Sequence, residues 1–413
     1  MKHYINYLFL FFCLQFTSCA QQKQKKDSPI KKQDETLKIG ADRVNLYLSI
    51  LKNKNIAIVA NQTSTITTLQ RAEVSKNVMG SKNVMQHLVD YLHSYNTITV
   101  KKVFAPEHGF RGKADAGEVI VDGIDTKTNL PIISLYGKNK KPSSKQLKNI
   151  DYVVFDIQDV GVRFYTYIST LHYVMEACTE ANIPVIILDR PNPNAHYIDG
   201  PVLSSKHKSF VGMHPVPVVY GMTIGEYGKM INGEKWLKNG IKCDLTVIPL
   251  ENYTHNTEYK LPIKPSPNLP NQKSINLYPS LCFFEGTNVS AGRGTNKQFQ
   301  IYGSPYLKNL NFSFTPQPNE GAKYPKHKEK LCLGENLEET EYLSSLQLKW
   351  LLKAYKQTSE KEKFFNPFFT KLAGTELLQK QIEDGLNEEK IRDSWKKELN
   401  SFKKIRTKYL LYK

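Results

Sequence analysis

The feature that most constrains the fold is a continuous apolar run, IPVIILD at residues 183–189, which ends in charged residues and a proline turn. An uninterrupted apolar run rich in β-branched residues is typical of a strand buried on both faces, as in a parallel sheet. Because strands that alternate with helices form such sheets, we expect an α/β, Rossmann-like, doubly wound and mostly parallel sheet. The other strand-like runs are 55–60, 97–105, 130–137 and 151–159, and the helical patterns are 86–95 and 169–182.

The helical pattern at 169–182 has two faces of different character. Ser169 and Thr170 suit the start of a helix as caps. Glu176 lies opposite the apolar face, so periodicity alone predicts a solvated residue. The apolar face itself consists of Leu171, Val174, Met175, Cys178 and Ala181.

The pentapeptide SKNVM occurs twice within residues 75–85. The unit is too short for a solenoid repeat. We interpret it as a tandem duplication in a tolerant loop or at the start of a helix.

The composition and patterning of the sequence change near residue 250. Residues 260–274 are proline-rich and resist regular structure. An apolar run at 277–284 then meets Glu285 and a glycine-rich segment, and charged helical patterns dominate from 335 onward. We therefore predict a Rossmann-like catalytic domain at 37–250, a smaller α+β domain at 251–413, and an active site in the cleft between them.

The N-terminus resembles a secretory signal. An early lysine, a short apolar run and FTSC lead to Cys19, and this ending is similar to a bacterial lipobox, in which the cysteine is lipidated. The alternative is a simple signal peptide with an incidental cysteine. Residues 1–19 are thus expected to be a lipoprotein signal peptide and 20–36 a flexible tether. The protein would then be periplasmic or at the cell surface, anchored to a membrane, most simply the outer membrane.

The formal net charge of +18 indicates attraction to anionic surfaces such as cell-wall polymers. The lysines are scattered and no nucleic-acid-binding motif occurs, so nucleic acid is not an expected partner. Four cysteines lie beyond the N-terminal segment, and none forms a CxxC pair, which argues against zinc. We expect isolated buried thiols at Cys178, Cys243, Cys282 and Cys332.

Charged residues follow the predicted strands. Ligands bind at the carboxyl ends of parallel strands, so these residues are candidates for one site. Carboxylates for acid–base chemistry, arginines for an anionic group and aromatic rings for stacking would suit a sugar. Each also has a structural reading, as a helix cap, a satisfied histidine or an ion pair. The candidates are Glu107, His108 and Arg111; Asp156, Asp159, Arg163 and Tyr165; Asp189 and Arg190; and Glu285, Asn288 and Arg293.

Several other chemistries lack their motifs. No GxGxxG follows the first strand, and no Walker loop, GxSxG elbow or HExxH occurs.

Glu285 follows two phenylalanines, which predicts a partly desolvated carboxyl that would suit a general acid.

Six segments together resemble the exo-β-N-acetylmuramidases of the NamZ type, long classed as a domain of unknown function. The resemblance covers the chain from about residue 37 to the C-terminus, in the order of the family's motifs. The segments are APEHGFRG, FDIQDVGVRFYTYISTLHYVMEA, VIILDRPNP, GPVL, GMTIGE and FFEGTNVSAGRGT.

The resemblance implies a secreted or lipid-anchored glycosidase that releases N-acetylmuramic acid from the non-reducing ends of peptidoglycan chains, without a cofactor. Glu107 matches an expected catalytic acid, and Glu176 and Glu285 both match acidic family positions for a second carboxylate. Arg163, Arg190 or Arg293 would hold the lactyl carboxylate. Tyr165 and Phe110 would stack on the sugar, while His108 and Asn288 would bind its hydroxyl or acetamido groups.

Two other classes stay open at this point. One is a non-catalytic cell-wall-binding lipoprotein, and the other is a metal-assisted esterase or amidase that acts on wall fragments. Within the glycosidase class, the separation of the two carboxylates decides between retention and inversion, and assistance by the substrate's acetamido group is a third route.

Overall fold

The computed structural model describes residues 36–75, 78–111, 118 and 121–413, so the predicted signal peptide and nearly all of the tether lie outside the described residues. Residues 37–413 form one compact unit. No helix of the described part is long and apolar enough to cross a membrane.

A seven-stranded sheet forms the centre of the fold, in the order β5–β6–β4–β1–β7–β8–β9. All neighbours pair in parallel except β5 and β6, which are antiparallel. The expected Rossmann-like, mostly parallel sheet is confirmed. Its strands are β1 (Lys54–Ala60), β4 (Ile98–Ala105), β5 (Gly123–Ile124), β6 (Pro131–Ser134), β7 (Tyr152–Asp156), β8 (Val185–Leu188) and β9 (Leu245–Ile248).

The central strands are buried on both faces, as their continuous apolar runs predict. In β8, Val185 and Ile187 pack into one hydrophobic cluster, whereas Ile186 and Leu188 pack into another on the opposite face. The first cluster includes helices α4 and α5 and extends into the C-terminal part of the chain. The helices associated with this sheet are α1 (Leu48–Leu51), α2 (Leu88–His93), α3 (Ser144–Leu147), α4 (Tyr167–Glu180) and α5 (Ile224–Gly233).

The second copy of SKNVM, at residues 81–85, lies in a β-hairpin, so the predicted loop or helix start is wrong for this copy; the first copy lies partly outside the described residues. Strand β2 (Thr65–Ser75) pairs antiparallel with β3 (Val78–His87), and the second copy falls within β3.

Helix α4 begins two residues earlier than predicted, and Ser169 and Thr170 are not its caps. Thr166 is the N-cap residue, but its side chain makes no capping hydrogen bond. Glu176 is buried rather than solvated, since helix α4 is covered on more than its apolar stripe.

The C-terminal part has the expected α+β character. Three short strands form a separate antiparallel sheet in the order β10–β12–β11. In the last helix, Ile391, Trp395, Leu399 and Phe402 face the core at helical spacing. The elements are α6 (Gln272–Leu281), β10 (Ile301–Ser304), β11 (Phe312–Phe314), β12 (Cys332–Asn336), α7 (Lys349–Gln357), α8 (Phe368–Ala373), α9 (Leu377–Glu383) and α10 (Glu388–Arg406).

Candidate active site

The turn after strand β4 presents Glu107 and His108. The amide of Gly109 donates to the carbonyl of Pro106 at 3.0 Å, which closes the turn. His108 adopts a φ of 70°, a left-handed conformation that is uncommon for a residue with a side chain. The tight reversal explains the glycine and the strained histidine of the EHG motif, and it leaves Glu107 at the carboxyl edge of the sheet.

Glu107 is oriented by the start of helix α4. The hydroxyl of Thr166 donates a hydrogen bond of 2.6 Å to Glu107 Oε2. The same hydroxyl therefore does not cap its own helix. Since Thr166 is buried, this contact is shielded from competing water, and it fixes the direction of the carboxyl group.

Glu107 lines a cavity of about 260 Å³ that both parts of the chain build. Buried side chains form its floor, and half-exposed ones form its rim. The floor includes an aromatic cluster in which Tyr278 contacts the rings of Phe164, Tyr165 and Phe299 edge to face. Such rings offer apolar faces and edges to a sugar, and the polar groups around them can orient its hydroxyls.

Glu285 and Arg293 lie on the same cavity and form an ion pair. Arg293 Nε donates to Glu285 Oε1 at 2.9 Å, and each side chain is about a quarter exposed. Phe283 and Phe284 are fully buried beside Glu285, and Arg293 holds the carboxyl group of Glu285 on the cavity.

Tyr278 shows that Glu107 and Arg293 share one environment. Burial is the main cause that raises the pKa of its hydroxyl well above the usual range. Arg293 lowers this pKa and Glu107 raises it, so both charges act on the same ring. Glu107 from the sheet and Arg293 from the C-terminal part thus face one floor.

Asp156 and Arg190 form a buried ion pair outside the cavity lining. Arg190 donates from Nε to Oδ1 at 2.6 Å and from its terminal nitrogen to Oδ2 at 2.8 Å. Asp189 also lies outside the lining, and it accepts from the hydroxyls of Thr223 and Tyr412 at 2.7 and 2.6 Å. Burial raises the pKa of Asp189 to about 7. These contacts tie strand ends and the C-terminus together, so we do not carry the three residues into the proposed site.

Asp159 and Arg163 likewise serve the scaffold. Asp159 accepts from the Tyr220 hydroxyl and from the amide of Gly161, and burial raises its pKa to about 6. Arg163 is fully buried and donates to the carbonyls of Pro201, Val216, Leu372 and Ala373 at 2.7–2.8 Å. Both terminal nitrogens of its guanidinium are thus engaged, and the fully buried side chain lies outside the cavity lining, so it is not placed to bind a substrate carboxylate.

Glu176 also points away from the cavity lining. Its carboxyl oxygens accept from Lys141 Nζ and from the backbone amide of Lys238, both at 2.7 Å. Burial acts to raise the pKa of Glu176, but these two hydrogen bonds and the charge of Lys141 together lower it. A carboxylate held in this way suits structure rather than catalysis.

Three further candidates lie apart from the cavity. Arg111 pairs with Asp125 at 2.9 Å and with Asp90 at 3.3 Å, and its guanidinium covers Phe110. The side chain of Phe110 therefore packs under Arg111 and against His87. Asn288 has a buried amide that makes no hydrogen bond, and it also lies outside the lining. Of the sequence candidates, the structure brings Glu107, His108, Tyr165, Glu285 and Arg293 together.

Sequence reasoning missed part of the lining. The proline-rich segment, read only as irregular, contributes Ser266 and Asn268. Its position is fixed because the hydroxyl of Tyr165 and the amide of Gln62 donate to the carbonyl of Pro265, at 3.0 and 3.1 Å. A polar SPN step between prolines was the available signal. The other missed members are Tyr136, Phe164, Thr166, Phe210, Val211, Leu269, Tyr278, Cys282, Phe299, Phe368 and Leu372.

The expected isolated thiols are confirmed: Cys178, Cys243, Cys282 and Cys332 are buried and unbridged. In the described ranges, no group of three or more His, Cys, Asp or Glu residues is arranged to hold a metal ion.

Solved structures of one group of proteins are similar to this chain over about nine-tenths of its length. A solved structure from Bacteroides fragilis, titled as a DUF1343 family protein, is 46% identical, with a TM-score of 0.81 and coverage of 92% of this chain and 99% of that one. A second DUF1343 protein from the same species is 27% identical, with a TM-score of 0.72 and coverage of 91% and 99%. The sheet and the C-terminal part are therefore arranged as in solved proteins.

Sequence comparison is more specific. The chain is 38% identical over 393 residues to the peptidoglycan beta-N-acetylmuramidase NamZ of Bacillus subtilis, with 89% of each protein covered. The family model "Exo-beta-N-acetylmuramidase NamZ, N-terminal" matches residues 56–273, and its C-terminal counterpart matches residues 276–412. This chain therefore belongs to the exo-β-N-acetylmuramidase NamZ family of glycosidases.

Proposed function

We propose that the protein is an exo-β-N-acetylmuramidase that hydrolyses the terminal β-glycosidic bond of peptidoglycan glycans and releases N-acetylmuramic acid. The observation that carries the proposal is the position of Glu107, oriented by Thr166, on the cavity that also holds Glu285 and Arg293. The cavity volume of about 260 Å³ is close to the lower end of small-molecule sites, about 300 Å³, which suits one sugar at a chain end.

In this mechanism Glu107 is the general acid. Its carboxyl group donates a proton to the leaving oxygen while the bond to the muramyl sugar breaks through an oxocarbenium-like transition state. The proton leaves a carboxylate, and the hydroxyl of Thr166 at 2.6 Å is placed to stabilise the charge that develops there. Glu285, held by Arg293 on the same cavity, is the second carboxylate of the proposal: it either takes a proton from the water that attacks the anomeric carbon, or attacks that carbon itself and is then displaced by water.

Arg293 also gives a basis for choosing a muramyl sugar. Arg293 lies on the same cavity as Glu107, and a planar guanidinium suits a carboxylate such as the lactyl group. N-acetylglucosamine lacks that carboxylate. We therefore expect Arg293→Gln to reduce kcat/KM for a β-N-acetylmuramide by about tenfold or more relative to the matching glucosaminide.

The central test is hydrolysis of a chromogenic β-N-acetylmuramide by protein lacking residues 1–20. Loss of a positioned general acid costs about 10²- to 10⁴-fold, so Glu107→Gln should lose most of kcat. Glu176→Gln is the matched control, an equally conservative change outside the cavity lining, and it should retain kcat. Equal activity in Glu107→Gln and the parent protein would remove Glu107 from the mechanism. No turnover by folded parent protein would favour a cell-wall-binding role.

We further propose that Cys19 is lipidated and holds the enzyme on a membrane outside the cytoplasm. The proposal rests on the apolar run, the FTSC ending and the polar segment that follows it. Mass spectrometry of the mature N-terminus should show a lipid on Cys19, and Cys19→Ala should move the protein into the soluble fraction. Cys13→Ala is the control that should remain membrane-bound. A lipid-free N-terminus on the mature parent protein would reject the anchor.

A further inference from the structure

The rim of the cavity carries an ammonium group fixed above an aromatic ring. Tyr136 and Phe210 line this part of the cavity, with ring centroids 6.1 Å apart, and both are half-buried. Lys140 Nζ lies 4.8 Å from the centroid of Phe210. Attraction between a cation and the face of a ring holds the ammonium at this position. The positive charge of Lys140 is therefore held beside the cavity entrance instead of moving freely in solvent.

Two lysine-rich loops meet at this place. Residues 137–141, GKNKK, carry Lys138, Lys140 and Lys141, and residues 205–210, SKHKSF, carry Lys206 and Lys208. Burial lowers the pKa of His172 to about 4, and Lys208 and Lys141 both add to this decrease. The two loops are thus close enough for one lysine from each to act on the same imidazole.

Most of these charges are not neutralised by the protein. Lys141 pairs with Glu176 and Glu180, both at 2.7 Å. Within the residues that the structure describes, no ion pair involves Lys138, Lys140, Lys206 or Lys208. We call these four lysines the basic rim. A cluster of one sign beside a cavity attracts and orients anions.

We infer that the basic rim binds a carboxylate on the leaving part of the glycan. The inference rests on the proposed function, in which the terminal muramyl sugar occupies the cavity and the rest of the chain passes over its rim. Peptidoglycan alternates a neutral amino sugar with a muramyl sugar, so the next carboxylate belongs to the second sugar of the leaving part. This carboxylate is either that of a free lactyl group or one on a peptide attached to the lactyl group. Both are anionic, which is the property that the basic rim recognises.

The test compares two substrates in one protein. The first is an aryl β-N-acetylmuramide, whose leaving group has no carboxylate. The second is the trisaccharide of two muramyl sugars around one N-acetylglucosamine, with the second lactyl group free, amidated or extended by a peptide. The variant is Lys140→Gln/Lys208→Gln. The matched control is Lys52→Gln/Lys148→Gln, which removes the same charge from exposed positions shortly before β1 and β7, at the opposite edge of the sheet.

The rim variant loses two exposed ion pairs with the substrate carboxylate. We therefore expect its kcat/KM for the charged trisaccharide, relative to that for the aryl muramide, to decrease by about fivefold compared with the parent protein. The decrease should fade as ionic strength approaches about 1 M, where the Debye length is about 3 Å, and the control pair should not show it. A decrease with the free lactyl group identifies that carboxylate as the ligand. A decrease only with the peptide identifies the peptide.

Three results would overturn the inference. One is an equal decrease for the amidated trisaccharide, and another is an unchanged ratio at low salt. The third is an equal decrease for the aryl muramide, which would mean that the rim binds the lactyl group of the cleaved sugar. Failure of the proposed function itself would look different, because the parent protein would then hydrolyse neither substrate.

Discussion

Replacement of Thr166 by valine removes the hydroxyl that donates to Glu107 at 2.6 Å and keeps the shape of the side chain. A hydrogen bond to a charged group contributes about 1.5–3 kcal/mol. If the proton is about half transferred in the transition state, about half of that energy, ~0.75–1.5 kcal/mol, is lost from the barrier. We therefore expect kcat to fall about fourfold to thirteenfold, with little change in KM.

The assay should vary the leaving group, because Thr166 acts only through the proton that Glu107 delivers. A sugar leaving group needs this proton more than an activated phenol does. The loss of kcat in Thr166→Val should thus be larger for a muramyl disaccharide than for a nitrophenyl muramide. Thr166→Ser should restore the rate. Thr170→Val is the control on the same helix, where the hydroxyl donates to a backbone carbonyl instead.

Two results would refute this reasoning. Equal losses with both leaving groups would show that Thr166 supports the fold of the site rather than the proton transfer. The same loss in Thr170→Val would show that any hydroxyl removed from this helix disturbs the cavity. In either case the orientation of Glu107 would have to come from elsewhere.

Three further outcomes are expected. Arg163→Met should lower the free energy of unfolding by ~3–5 kcal/mol in urea titrations, because four buried carbonyls lose their donors; a change below ~1 kcal/mol would contradict this account. The unfolded chain protonates His172 below about pH 6.5, whereas the folded protein protonates it only near its lowered pKa of about 4. The free energy of unfolding should therefore fall by up to ~3 kcal/mol as the pH drops from about 6.5 to about 4. His172→Gln should reduce this pH dependence, and an unchanged pH dependence in the variant would contradict the role of His172. Dialysis against EDTA should leave muramide hydrolysis unchanged, since the proposed groups are carboxylates, and a loss restored by zinc would favour a metal-assisted hydrolase.

The parts of the fold that could be predicted are those with a local physical signature. Apolar runs located five of the six parallel strands of the described sheet to within a few residues, because burial requires apolar side chains, whereas the partly exposed β9 was missed. The hairpin of β2 and β3 was missed, since the short repeat in its sequence gives no sign of which residues pair across the two strands. The start of α4 was misplaced because the hydroxyl of Thr166 serves Glu107 rather than the helix end.

The candidate site could be predicted only for residues at strand ends and in the glycine-rich segment. Arg163 looked like a ligand for a carboxylate, yet two of its acceptors, Leu372 and Ala373, lie more than 200 positions away along the chain. Glu176 looked solvated, yet the amide of Lys238 reaches it from another part of the fold. Such partners follow from packing between distant segments, and no local pattern contains them.

The same long-range contacts explain why catalysis should depend on the C-terminal part. Arg163 holds the carbonyl of Leu372, and Leu372 lines the cavity that contains Glu107. Near the C-terminus, the hydroxyl of Tyr412 donates a hydrogen bond to Asp189, which directly follows strand β8. The C-terminal segment is thus fixed to the sheet at the strand ends on which the site is built. Glu107 alone is a carboxyl group on a turn; with Arg293, Glu285 and the aromatic floor held opposite it, the same residue faces a sugar-sized cavity in which a proton transfer can be directed.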